Sequence, residues 1–140
     1  MSRIGRRIAF DYGDVRIGVA VCDPDGILAT PLATLQSKDP GIKKRIAEFI
    51  DEYEPVKFYV GEPKLLSGEE GTAVSKVLAF TQMLTSNFDI PVELVDERLS
   101  TISASRQLRE SGMNTKDARS VIDAAAAVAI LEQGLANERK

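Results

Sequence analysis

The sequence predicts a single α/β domain built on a mixed five-stranded sheet with helices on both faces. Near the start of the chain, three strand-like segments follow one another with only tight turns between them, which indicates an antiparallel meander. Two further apolar strands are separated by helices, and strands separated in this way usually pair in parallel. The 140 residues contain no linker, repeat or low-complexity stretch, so one domain over 1–140 is expected.

The first three strands are defined by apolar alternation and by turn residues. Strands are predicted over Arg7–Tyr12, Arg16–Cys22 and 27–35. Gly13 and Asp14 form the first turn. Residues 23–26 read Asp-Pro-Asp-Gly, and they form the second turn because Pro fixes φ and Gly accepts a positive φ.

After residue 35 the apolar period changes from strand-like to helical. Ile42, Ile46, Phe49 and Ile50 form the apolar face of an amphipathic helix, which Pro55 ends. The remaining predicted elements are a strand over 56–60, a loop over 61–71, a helix over 72–87, a strand over 91–95, a helix over 100–110 and a last helix from Thr115 to about residue 136.

Composition excludes several kinds of site. The chain has no histidine, so it cannot contain an imidazole base or a His-ligated zinc site. Its one cysteine, Cys22, allows no internal disulfide, and a lone cysteine without a signal sequence predicts a cytoplasmic protein. The longest apolar run, 124–131, is far shorter than the roughly 20 residues of a membrane span, so no membrane partner is expected. The net charge of −3 indicates no partner class by itself.

Acidic residues occur where ligands gather in open α/β sheets, at the carboxyl ends of strands. Asp11 lies at the end of the first strand, on the face opposite Ile8 and Phe10; Glu62 follows the fourth strand, and Asp96 and Glu97 follow the fifth. Asp123 lies early in the last helix. Several carboxylates at one place repel each other unless cations are bound, and an all-oxygen site selects Mg²⁺ or Mn²⁺. Two such ions would serve in-line phosphoryl transfer, which requires no histidine.

Three segments resemble the motifs of the YqgF/RuvX family, which is described as Holliday junction resolvases and as nucleases for precursor 16S ribosomal RNA. They are 7–20 (RIAFDYGDVRIGVA), 96–101 (DERLST) and 122–131 (IDAAAAVAIL), and they occur in the family's order across nearly the whole chain. The resemblance implies an RNase H-like fold. It also implies that Asp11, Glu97 and Asp123 are the catalytic, metal-binding acids.

Alternatives remain open at several of these positions. Glu62 stands where the family has a small apolar residue, so it is either an extra ligand or a solvated loop residue. Asp96 competes with Glu97 for the role of ligand, and either acid could instead cap the next helix. The run of alanines over 124–127 is interpreted as close packing of the last helix on the sheet. Six basic residues are predicted to contact nucleic-acid phosphates or else to form a solvated face: Arg16, Arg98, Arg106, Arg109, Lys116 and Arg119.

The leading functional hypothesis is a metal-dependent nuclease acting on structured nucleic acid, either a precursor of 16S rRNA or a four-way DNA junction. A second is a non-catalytic RNA-binding factor in ribosome assembly. A third is a nucleotide-binding domain, since Asp11-Tyr12-Gly13 also resembles the phosphate loop of the actin and sugar-kinase fold, although 140 residues leave no room for that fold's second domain. A monomer and a homodimer are both compatible with the sequence, and the two-fold symmetry of a four-way junction favours the dimer.

Overall fold

The computed structural model describes residues 5–62, 72–96 and 116–139, which form one mixed sheet covered by helices. The strand order in these residues is β3-β2-β1-β4-β5, with β1–β2 and β2–β3 antiparallel and β1–β4 and β4–β5 parallel. The predicted architecture is therefore confirmed. The elements are β1 (Arg7–Tyr12), β2 (Arg16–Cys22), β3 (Ala29–Gln36), α1 (Ile42–Tyr53), β4 (Lys57–Glu62), α2 (Thr72–Asn87), β5 (Val92–Asp96) and α3 (Lys116–Glu138).

The sheet has an apolar core on each face because its central strands are buried on both sides. On one face, Phe10 is fully buried and packs edge-on against Phe58 and Phe80, with ring centroids 5.3 and 5.5 Å apart. Ile46 of α1 belongs to the same cluster, so α1 and α2 cover this face. On the other face α3 packs over Ala9, Ala20 and Tyr59. Among the described residues no helix is long and apolar enough to cross a bilayer.

Strands β3, β4 and β5 differ from the prediction by one or two residues at their ends, and hydrogen bonding explains three of these differences. Oδ1 of Asp23 accepts the N–H groups of Ile27 and Leu28 at 2.7 and 3.0 Å, so the turn is longer and β3 begins only at Ala29. Ile27 and Leu28 consequently lie exposed. β4 and β5 continue to Glu62 and Asp96, because these residues pair at the end of the parallel ladder. The predicted loop over 61–71 was therefore wrong at its first two residues, and the predicted helix over 100–110 lies outside the described residues.

Gly134 allows α3 to lie directly on the ring of Tyr59. A Cβ atom added at Gly134 would come within 2.8 Å of three ring carbons of this fully buried side chain. At a helix position where the added methyl group meets no other atom, Gly→Ala usually raises the free energy of unfolding by about 0.5–1 kcal/mol. Here the clash reverses the sign, and we expect Gly134→Ala to lower the free energy of unfolding by about 1–3 kcal/mol in urea titration. An increase in stability would contradict this packing; Gly41→Ala, whose added Cβ would make only an ordinary contact, is the control.

Candidate active site

The carboxyl ends of three parallel strands lie along one edge of the sheet, and each carries an acidic residue. Asp11 is the fifth residue of β1, Glu62 ends β4 and Asp96 ends β5. Asp11 is the most enclosed of the three, with 1% of its surface exposed, whereas Glu62 and Asp96 are half-buried. Burial of a carboxyl group is costly, which makes Asp11 the acid whose position most needs a functional explanation.

The register of the strands places these acids on two different faces. Side chains alternate along a strand, so Asp11 shares the α3 face with Ala9, and its antiparallel partner is Gly18. Gly61 pairs with Val95, which belongs to the core under α3. Glu62 and Asp96 alternate to the opposite face, where α1 and α2 pack. The structure therefore does not bring Glu62 or Asp96 to the side of the sheet where Asp11 lies.

Small residues surround Asp11 on its own face. The ladder between β1 and β4 runs through Phe10 and Val60, so Gly61 is next to Asp11 on one side and Gly18 on the other. Neither glycine has a side chain that would fill the space beside the carboxyl group. On the same face of the sheet, α3 contributes the fully buried Ala127 to the core cluster that contains Ala9. The alanine run thus packs as predicted at three of its four positions, since Ala124, Ala126 and Ala127 are buried and Ala125 is exposed.

The direction of α3 brings its N-terminal half to the Asp11 end of the sheet. The last turn of α3 lies at the start of β1, where Nη2 of Arg7 donates to Glu138 at 2.8 Å. Nearer its start, Ala124 lines a groove with Thr34, whose strand partner Gly18 also pairs with Asp11. Asp123 precedes Ala124 in the helix, so its backbone lies at this end of α3. Glu97 lies outside the described residues, as do Arg98, Arg106 and Arg109.

Polar contacts hold the β1–β2 hairpin beside this edge. The Ser37 hydroxyl donates to the Gly13 carbonyl at 2.6 Å, and Nζ of Lys76 donates to Oδ1 of Asp14 at 2.8 Å. The Asp14 carboxylate raises the pKa of Lys76, which therefore stays cationic. Lys76 is thus a cation of this region that was not among the six predicted basic residues.

The predicted cations of this region are distributed over β2 and α3. Arg16 begins β2 and is half-buried, and Lys116 and Arg119 lie in the first turns of α3. In the parts of the chain that the structure describes, no three acidic or cysteine side chains come together as a metal site requires. The described residues include Asp11 but not Glu97, and the side chain of Asp123 is not described.

Known proteins resemble this chain in sequence and in fold. The family described as "RuvX: Holliday junction resolvase" matches residues 5–137. A Streptomyces coelicolor protein named "Putative pre-16S rRNA nuclease" is 54% identical over 139 residues, covering 98% of this chain and 83% of the relative. A Rhodococcus opacus protein of the same name is 53% identical over 141 residues, covering 96% and 79%.

Two solved structures show the likeness in fold. Thermus thermophilus RuvC in complex with a Holliday junction substrate superposes with a TM-score of 0.60 at 16% identity, covering 96% of each chain. The fowlpox virus resolvase in complex with Holliday junction DNA gives a TM-score of 0.55 at 13% identity, covering 96% of this chain and 99% of the viral protein. At these identities the comparison concerns the fold alone, and it confirms the predicted RNase H-like arrangement.

Proposed function

Because this chain belongs to the RuvX family of Holliday junction resolvases, we propose that it is a metal-dependent endonuclease acting on structured nucleic acid. The substrate would be a precursor of 16S rRNA, the molecule for which its curated relatives are named, or a branched DNA junction. The observation that carries the proposal is Asp11, a carboxyl group almost sealed from solvent at the carboxyl end of a central parallel strand.

We propose that Asp11, Glu97 and Asp123 hold divalent cations. Carboxylate oxygens are the ligands that Mg²⁺ and Mn²⁺ prefer, and the strand neighbours of Asp11, Gly18 and Gly61, have no side chains that would block its carboxyl group. When bound, two such ions would lower the pKa of a water molecule and stabilise the leaving oxygen. The chain's own acids would hold this site rigidly, because Asp11 belongs to a buried strand and Asp123 to a helix packed on that strand.

The alternation of side chains along β5 supports Glu97, rather than Asp96, as the metal ligand that acts together with Asp11. Val95 faces the α3 side, as Asp11 does, whereas Asp96 faces the other side. Glu97 follows Val95 by two positions, the spacing that keeps side chains on one face of an extended strand. Glu62 pairs with Asp96 and faces the same side of the sheet, so we do not propose it as a ligand.

Basic residues would hold the phosphates on either side of the cleaved bond. Lys76 joins the predicted set because Asp14 positions its ammonium group at the hairpin, and it remains half exposed. The full proposed set is Arg16, Lys76, Arg98, Arg106, Arg109, Lys116 and Arg119. Such contacts position a strand without reading its sequence, so they suit both RNA and DNA.

Cleavage of matched substrates tests the proposal. Pure protein is incubated with a precursor 16S rRNA fragment and with a four-way DNA junction, in Mg²⁺, in Mn²⁺ and in EDTA. We expect strand cleavage of at least one substrate in either metal and none in EDTA. Tight binding of RNA with no cleavage in any metal would instead support the assembly-factor hypothesis, and saturable binding of Mg²⁺–ATP would support the nucleotide-binding one.

A further inference from the structure

An apolar groove of about 490 Å³ runs between the edge strand β3 and helix α3. Its walls include Pro31, Leu32 and Thr34 from β3, and Ala124, Ala125 and Val128 from α3. None of these residues carries a charge. The volume falls within the range of small-molecule sites, which are mostly apolar with a few polar groups.

A bulge in β3 shapes the floor of this groove. Pro31 pairs with Ala20 and Thr34 with Gly18, and the register shifts between Val19 and Ala20. In a regular strand, residues three apart point to opposite faces. Because of the bulge, Pro31 and Thr34 both lie on the α3 face, as their partners do.

The groove lies on the same face of the sheet as Asp11, two strands away. Thr34, Gly18 and Asp11 form one row across three neighbouring strands. Neighbouring strands are about 4.8 Å apart, so Asp11 lies roughly 10 Å from the groove, a distance that a flanking nucleotide spans. Gly18 lies between them; it is buried and has no side chain.

We propose that this groove binds the base and sugar of an unpaired nucleotide next to the bond that is cleaved at Asp11; this rests on the proposed function. Among the described lining residues no cation is available to attract a phosphate, and their apolar side chains suit the flat face of a base. The Thr34 hydroxyl provides a polar group at the groove's Asp11 end. A base that is paired and stacked in a duplex cannot enter, so the inference identifies the substrate class as nucleic acid with an unstacked nucleotide beside the scissile bond.

A groove-filling substitution tests this inference. Ala125 is exposed on α3, so Ala125→Phe fills the groove without disturbing the core. The control is Ala136→Phe, which makes the same change at an exposed position three turns along the same helix. Binding is measured by fluorescence anisotropy in EDTA, with a labelled single-stranded RNA and with a fully paired duplex of the same sequence. Thermal unfolding confirms that both variants fold, and Val128→Ser replaces Ala125→Phe if the latter does not.

We expect Ala125→Phe to weaken single-strand binding about tenfold, the size of one lost base contact, and to leave duplex binding and the control unchanged. An equal loss for both nucleic acids, or no loss, would overturn the inference. Analytical sedimentation gives a further outcome that would overturn it: if the wild-type protein is a dimer and Ala125→Phe is a monomer, a second copy of the chain occupies the groove. If the wild-type protein bound neither nucleic acid, the proposed function itself would fail. If the wild-type protein bound normally and Ala125→Phe did not alter that binding, only the proposed role of the groove would be contradicted.

Discussion

Asp11→Asn is expected to lower the rate of metal-dependent cleavage by at least ~10³-fold while leaving the protein folded. Metal stabilisation of a phosphoryl transition state is worth several kcal/mol, and each 1.36 kcal/mol corresponds to a factor of ten in rate. Asn has nearly the same shape as Asp, so the buried position between Gly18 and Gly61 remains filled. The substitution removes the negative charge and therefore the attraction for the cations, but not the packing.

The measurement is single-turnover cleavage in Mg²⁺ and in Mn²⁺, and Asp96→Asn is the matched control. Asp96 also ends a parallel strand at this edge, but its side chain faces the α1–α2 side. We expect Asp96→Asn to cleave at close to the wild-type rate. Cleavage by Asp11→Asn within tenfold of wild type would exclude Asp11 as a metal ligand.

Metal binding also gives a readout that does not depend on activity. A cation that binds only the folded protein raises its stability by RT ln(1 + [M]/Kd). Wild-type protein should therefore unfold at a higher temperature as Mn²⁺ is added, and Asp11→Asn should show a much smaller rise. An equal rise in both proteins would place the cation site elsewhere, even if the variant had lost activity.

Much of the fold follows from local signals in the sequence. The alternation around Phe10 predicts β1 and both of its faces, and the helical spacing around Ile46 predicts α1. The missed boundaries depend on partners that are distant or unusual. The local sequence does not show that Glu62 pairs with Asp96. It also does not show that Asp23 accepts hydrogen bonds from Ile27 and Leu28.

The candidate site was only partly predictable, for a geometric reason. Sequence identifies acids at strand ends, but it does not show which ends share a face. The proposal of Glu97 over Asp96 depends on the register of β5, which the pairing of Gly61 with Val95 gives. The bulge that places Pro31 and Thr34 on one face is likewise invisible locally, although a proline within a strand is typical of an edge or a bulge.

At the end of the sheet opposite Asp11, an ion pair joins Arg7 and Glu138, which are far apart in sequence. Its removal should greatly lower the free energy of unfolding. The Arg7 side chain is 3% exposed and donates through Nη2 to Glu138, whose side chain is 18% exposed. The Tyr59 hydroxyl donates to the other carboxylate oxygen of Glu138. Glu138 thus ties the end of α3 to β1 and β4 at once.

We expect Glu138→Ala to lower the free energy of unfolding by about 3–5 kcal/mol, because it removes the carboxylate that compensates a buried guanidinium. Urea unfolding measures the loss, and Glu132→Ala is the control, since Glu132 is exposed on the same helix and should cost less than about 0.5 kcal/mol. Tyr59→Phe separates the two bonds, because it removes only the hydroxyl and keeps the ion pair with Arg7. If Glu138→Ala cost no more than Tyr59→Phe, the ion pair would contribute nothing, and the attachment of α3 to the sheet would depend on the packing of Tyr59 against Gly134 instead.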